Sequence, residues 1–202
     1  LLVSGVMLSG CREDTPVQEE SPATAELPPI EEDYEASRFK WGYINAAGQL
    51  VIPARFDDCR SFKNDRAVIR VKGRWGFINK EGQQVIPPSY RAVWDFSEGL
   101  ARVQNFEGLY GFIDPEGNTV IEPQFEDALD FSDGRARIQK EERYGFIDQK
   151  GRILIECQFE RASSFQEGQA KVKLDGKYGL IDTDGRFILP PDYKKVSLYV
   201  EE

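Results

Sequence analysis

The chain has 202 residues, 40% of them apolar and 12% aromatic, enough for one ordinary domain with a real core. It contains no histidine, which removes the commonest general base, the commonest metal ligand and every Ser-His or Cys-His dyad. The net charge is −9, but residues 12–37 hold nine acids against one base, leaving residues 38–202 with 26 acids and 25 bases. A nearly neutral body with mixed charges is poorly suited to nucleic acid, because phosphate neutralisation needs a net basic face.

The opening eleven residues, LLVSGVMLSGC, form an uncharged apolar run that ends in small residues. At 1.5 Å rise per residue such a run is too short to cross a hydrocarbon core of about 30 Å, so it reads as the end of a signal peptide. The segment Leu8-Ser9-Gly10-Cys11 resembles the lipobox of bacterial lipoproteins. That resemblance implies that Cys11 becomes the mature N-terminus and carries the lipid, making the membrane a partner through the anchor. Arg12 follows, without the aspartate that favours inner-membrane retention in enterobacterial lipoproteins, so outer-membrane or surface placement is expected.

Residues 12–37 are rich in Pro, Glu, Ser and Thr and too poor in apolar residues to compensate for ordering. The composition predicts a disordered acidic tether that holds the body away from the membrane. Its negative charge also disfavours collapse onto anionic lipid.

From residue 38 onward an aromatic-glycine pair recurs, as Trp41-Gly42, Trp75-Gly76, Tyr110-Gly111, Tyr144-Gly145 and Tyr178-Gly179. Self-similarity at a fixed period of about 34 residues is the mark of a repeat architecture. Each pair leads into an apolar residue and an isoleucine or its equivalent, which predicts a short strand covered on both faces. Next comes Asn or Asp, two further residues and Gly, at Asn45–Gly48, Asn79–Gly82, Asp114–Gly117, Asp148–Gly151 and Asp182–Gly185. That pattern predicts a hairpin on a type I turn with a glycine bulge. The second strand carries Ile52, Ile86, Ile121, Ile155 or Leu189, and Pro53, Pro87, Pro123 and Pro190 are expected to stop its ladder and turn the chain. Two series of aromatics read as core pegs: Phe56, Tyr90, Phe125, Phe159 and Tyr193, then Phe62, Phe96, Phe131, Phe165 and Tyr199. A second turn and an alternating strand, such as Ala136-Arg137-Ile138, complete a unit of three strands.

The five aligned blocks, from WGYINAAGQLVIPARF to YGLIDTDGRFILPPDY, closely resemble the bacterial WG-repeat (KWG) family over residues 38–202. The resemblance implies an all-β tandem array and brings no catalytic residue, cofactor or metal with it. An open, twisted, solenoid-like array is expected, with a closed propeller-like ring as the alternative. The units start at 41, 75, 110, 144 and 178. Tyr replaces Trp in the last three copies, Asp65 stands where the others have Gly, and one residue is added near Asn105–Leu109.

Aromatics that keep the period read as packing, whereas those that break it are the ligand-binding candidates. These are Trp94, where other units have Arg60, Leu129 and Ser163, and Phe106 in the added loop. Cys59 and Cys157 fall in nonadjacent units, too far apart to bridge in a linear array, so free buried thiols are expected. The acidic turn at Asp182–Gly185 reads as the shared hairpin turn and not as a calcium loop. The expected function is non-catalytic: an envelope lipoprotein presenting a β surface to a protein or glycan. The alternatives are a carboxylate-dependent glycan-active enzyme, which would need two off-period acids in a cleft, and a purely structural envelope spacer.

Overall fold

The computed structural model describes residues 39–196, so Cys11, the tether and the last aromatic peg, Tyr199, lie outside the described residues. Between those limits the chain is all β, in five antiparallel sheets. The first holds only β1 (Trp41–Ile44) and β2 (Leu50–Phe56). The second is β3 (Asp58–Cys59), β4 (Ala67–Val71), β5 (Arg74–Ile78) and β6 (Gln84–Tyr90), in that order. The third is β7 (Ala92–Ser97), β8 (Leu100–Gln104), β9 (Tyr110–Ile113) and β10 (Thr119–Phe125). The fourth runs β11 (Asp127–Ala128), β12 (Ala136–Lys140), β13 (Arg143–Ile147) and β14 (Ile153–Phe159). The fifth runs β15 (Arg161–Ala162), β16 (Gln169–Leu174), β17 (Lys177–Asp182) and β18 (Phe187–Tyr193). A full sheet therefore has four strands where the sequence suggests three, and it begins about half a repeat before the aromatic-glycine pair.

Local chemistry sets the turns. In the β1–β2 turn, Gly48 N donates to Asn45 O at 2.9 Å, while Asn45 Oδ1 accepts from Ala47 N and Gln49 N. Asp114, Asp148 and Asp182 each accept likewise from the residue four positions on. The turn before the β12 position needs two left-handed residues, and Asp65, at φ 63°, does there what Gly99, Gly134 and Gly168 do elsewhere.

The prolines do not stop the second strand, contrary to the sequence reading. Tyr110 pairs with Phe125 and Phe112 with Ile121, so β10 spends four residues where β9 spends two. The surplus, Glu122-Pro123-Gln124, bulges over Gly111, and the missing proline N–H has no ladder partner to lose there.

The core lies between consecutive sheets, in four clusters. Phe112, Ile121 and Phe125 of the third sheet meet Ala136, Ile138 and Ile147 of the fourth, with Phe131 wedged between. Phe146, Ile155 and Phe159 do the same toward Ala170, Val172 and Ile181 of the fifth, around Phe165. Adjacent residues Phe146 and Ile147 thus serve different cores, which is why both are buried in a strand whose side chains alternate. Each turn glycine seats on the preceding sheet: a Cβ on Gly82, Gly117, Gly151 or Gly185 would lie 3.1–3.3 Å from Ile52, Ile86, Ile121 or Ile155. The array is open, and its pegs are uneven: Phe56, Phe125, Phe131, Phe159 and Phe165 are buried as the sequence predicts, whereas Phe62, Tyr90 and Phe96 are half-buried and Tyr193 is exposed.

Cys59 and Cys157 are free as expected, but both are half-buried and not fully buried. Burial pushes each thiol above its ordinary value, with Asp58 adding to the shift at Cys59 and Glu156 at Cys157, so neither is an activated nucleophile.

Candidate interaction face

In the four-stranded sheets the aromatic of the aromatic-glycine pair stands on the third strand, at the margin of the core: Trp75, Tyr110 and Tyr144 pack against core clusters without being fully buried. Trp75, Tyr110, Tyr144 and Tyr178 are half-buried, and Trp41 is exposed. A cation covers each of these four half-buried rings within 6 Å, close enough for cation–π attraction. Arg70 and Lys173 are the cross-strand partners of Trp75 and Tyr178 and lie 5.5 and 5.9 Å from their ring centroids. Where the cross-strand partner is Gln104 or Gln139, the cation comes from two residues earlier. Arg102 sits 5.8 Å from Tyr110, and Arg137 sits 4.7 Å from Tyr144.

The same guanidiniums latch one sheet to the next. Arg102 Nη1 donates to Ala128 O, and Arg102 pairs with Asp130 at 2.9 Å; Arg137 Nη1 donates to Ala162 O at 3.1 Å and pairs with Asp127. Burial pulls the Arg102 guanidinium below its ordinary value. Burial likewise pushes the Asp130 carboxyl up, with Asp95 adding to the shift and Arg102 opposing it. Asp95 and Asp130 hold the same place in adjacent units, and each has its own cation, Lys63 at 2.7 Å and Arg102. Each carboxylate of this seam is thus paired with a cation. An open groove of about 510 Å³ lies beside Tyr144, lined by Arg137, Gln139, Glu142, Glu160 and Arg161. Among the described residues no cluster of three or more Cys, Asp or Glu side chains is arranged to hold a metal ion.

The two off-period aromatics fall on the third sheet with different partners. Trp94, on β7, is half-buried; its ring lies 5.6 Å from Tyr110, with the Arg102 guanidinium 3.9 Å above it. That stack accounts for a buried arginine on an otherwise alternating strand. Phe106, also half-buried, lies under Arg74 of the preceding sheet at 4.8 Å. Its loop has a structural cause. In three units an acid accepts from the backbone of the hairpin tip: Asp57 from Lys72 N, Glu126 from Glu141 N and Glu142 N, and Glu160 from Gly176 N. Arg91 stands there in the third sheet. The longer tip holds itself instead, with Asn105 Oδ1 accepting from Leu109 N and Gln104 Nε2 donating to Gly108 O, both at 2.9 Å.

Sequence reasoning passed over a second periodic feature. The residue before each second-strand isoleucine or leucine is Val51, Val85, Val120, Leu154 or Ile188, apolar in all five units. The outer strand turns it away from the core in four of them, while Val85 packs against the core cluster of the second and third sheets. Val51, Val120, Leu154 and Ile188 are 53%, 41%, 42% and 51% exposed, and Val85 is half-buried. Its period was visible, but separating it from the core isoleucine beside it required knowing that this strand is the sheet edge.

No curated protein matches the sequence. Among solved structures the chain is similar to the computationally designed Ika8 protein, at 16% identity and a TM-score of 0.43, over 70% of this chain and 52% of that one. The designed Ika4 protein is similar at 14% identity and a TM-score of 0.42, over 60% of this chain and 87% of that one. BamB from Moraxella catarrhalis is similar at 15% identity and a TM-score of 0.42, over 62% of this chain and 49% of that one. The chain thus spans about half the length of the Ika8 and BamB chains. The model of the WG containing repeat matches residues 41–75, 75–109, 110–144, 144–178 and 178–202. With five consecutive copies over four-fifths of its length, the chain belongs to the WG-repeat family.

Proposed function

We propose that the protein is a non-catalytic, lipid-anchored scaffold of the bacterial cell envelope that holds a protein partner along its outer apolar row. The observation that carries this reading is the row itself. Five aliphatic residues recur at one repeat position, and the four at Val51, Val120, Leu154 and Ile188 are exposed. Unlike Val85, which packs on a core cluster, these four lie outside the core clusters, and exposed apolar patches mark interaction surfaces. A glycan partner is less well supported, because apart from Trp41 the rings that would stack on sugars are already covered by guanidinium or ammonium groups. A pure spacer would have no use for the row. Cys11 would supply the anchor, and the acidic segment at residues 12–37 would supply the reach.

Site-specific photocrosslinking from positions 120 and 154, in cells that process lipoproteins, tests this. Both positions should capture one and the same protein, and a probe at the hairpin-tip residue Glu141 should not. The Cys11→Ser chain should leave the membrane fraction. Capture of nothing at 120 and 154, or of glycan alone, would refute the reading.

A further inference from the structure

The four inter-sheet junctions share one plan, and each has two halves. The leading half is the third-strand isoleucine with the hairpin-turn glycine, as in Ile113 with Gly117. The trailing half is the second-strand aliphatic of the sheet before, as in Ile86, which the glycine covers. Among the described residues the first sheet carries a leading half with nothing in front of it. Ile44 is 67% exposed where its counterparts Ile78, Ile113, Ile147 and Ile181 are 0% exposed. Gly48 has no atom within 4 Å of where its Cβ would stand, although its φ of +76° matches the other turns. The fifth sheet carries a bare trailing half. Leu189 is half-buried where Ile52, Ile86, Ile121 and Ile155 are at most 5% exposed, and Tyr193 is 46% exposed where Phe56, Phe125 and Phe159 are at most 4% and Tyr90 is half-buried.

We infer that two copies of this chain associate head to tail, with the β1–β2 turn at Gly48 and Ile44 of one copy seated on Leu189 and Tyr193 of the other. The occupant is a second copy because the two bare ends are the complementary halves of a contact that this chain already makes four times. A head-to-head pairing would set two Gly48 turns against each other and leave Leu189 bare. The contact is heterologous, so each added copy exposes a fresh head and a fresh tail and the assembly grows as a chain or closes as a ring of copies. The argument rests on packing alone and does not use the outer apolar row.

Sedimentation velocity on the full chain carrying Cys11→Ser, so that no lipid contributes, should show species that lengthen with concentration. Gly48→Asn blocks the head while tolerating the left-handed backbone, and Leu189→Glu blocks the tail. Gly48 is open to solvent and Leu189 is half-buried, and circular dichroism checks that both variants keep the fold. Each variant alone should lose association and run as a monomer. Their equimolar mixture should form a 1:1 dimer that grows no further, since only one good head and one good tail remain. A wild-type chain that stays monomeric at every soluble concentration would overturn the inference. So would single variants that associate like wild type, or a mixture that stays monomeric.

Discussion

Gly111→Ala should cost about 3 kcal/mol of stability or more, the upper range for overpacking a close-fitted site. The backbone of Gly111 is not left-handed, so the effect is steric and not conformational. An added Cβ would lie 2.5 Å from Ile121 O and 2.6 Å from Pro123 N, both backbone atoms of the bulge that β10 throws over the glycine. No side-chain rotation relieves a clash with main chain. Gly42, Gly76, Gly145 and Gly179 have the same collision, at 2.4–2.6 Å from the carbonyl of Ile52, Ile86, Ile155 or Leu189. That accounts for a glycine after the aromatic in every copy. Gly99→Ala is the control: its φ is +86° and no atom lies within 4 Å of the new methyl, so the left-handed backbone alone is charged, at about 1–2 kcal/mol. Urea unfolding followed by tryptophan fluorescence should rank the two in that order. Equal losses would remove the bulge from the account.

Phe146→Ala should cost about 3–5 kcal/mol, the usual range for deleting a fully buried phenylalanine. Phe146 is 0% exposed and fills the core between the fourth and fifth sheets, with its ring 4.7 Å from that of Phe165. The sheets on either side cannot close over the hole without shifting Ile155 and Val172, which pack into the same cluster. Tyr144→Ala, two residues earlier on the same strand, should cost clearly less. Its ring is only half-buried, at the margin of the same cluster, and alanine removes part of that packing and the Arg137 guanidinium at 4.7 Å, a contact worth about 0.5–2 kcal/mol. The contrast separates the two aromatic series that share the repeat period. Because an array is stabilised by nearest-neighbour junctions, hydrogen exchange in the Phe146→Ala chain should rise first in β13 to β17 and least in β4 and β5.

The turns and the fold class were open to sequence reasoning because their signals are local. Asn45, Asp114 and Gly117 state a hairpin through side-chain hydrogen bonding and positive φ, and Asp65 fits its left-handed place by the same chemistry. Features that depend on a neighbouring sheet were hidden. The two-residue strands β3, β11 and β15 are too short to show any period. Their omission turned a four-strand sheet into a three-strand unit and hid the offset between sheet and repeat. Pro123 reads as a stop when strand pairing is taken as regular, and it becomes a bulge marker once the four-against-two register is seen. Arg102 holds the polar place that Arg137 has in the alternating strand Ala136-Arg137-Ile138, yet it is buried by Trp94 and by Ala128 of the next sheet. Of the candidate residues, Trp94 and Phe106 were found because they break the period. Val120 and Leu154 escaped because they keep it, one place from a core isoleucine.

The account depends on each turn glycine resting on the aliphatic side chain of the sheet before it, as Gly117 rests on Ile86 at 3.2 Å. A double-mutant cycle on Ile86→Ala and Gly117→Ala measures that contact and subtracts the backbone cost of alanine at φ +87°. With Ile86 cut back, the new methyl at 117 has room, so the double variant should be more stable than the sum of the two losses by about 1 kcal/mol. Losses that simply add, within about 0.3 kcal/mol, would mean that the two residues do not touch and that the 34-residue period is not a packing rule.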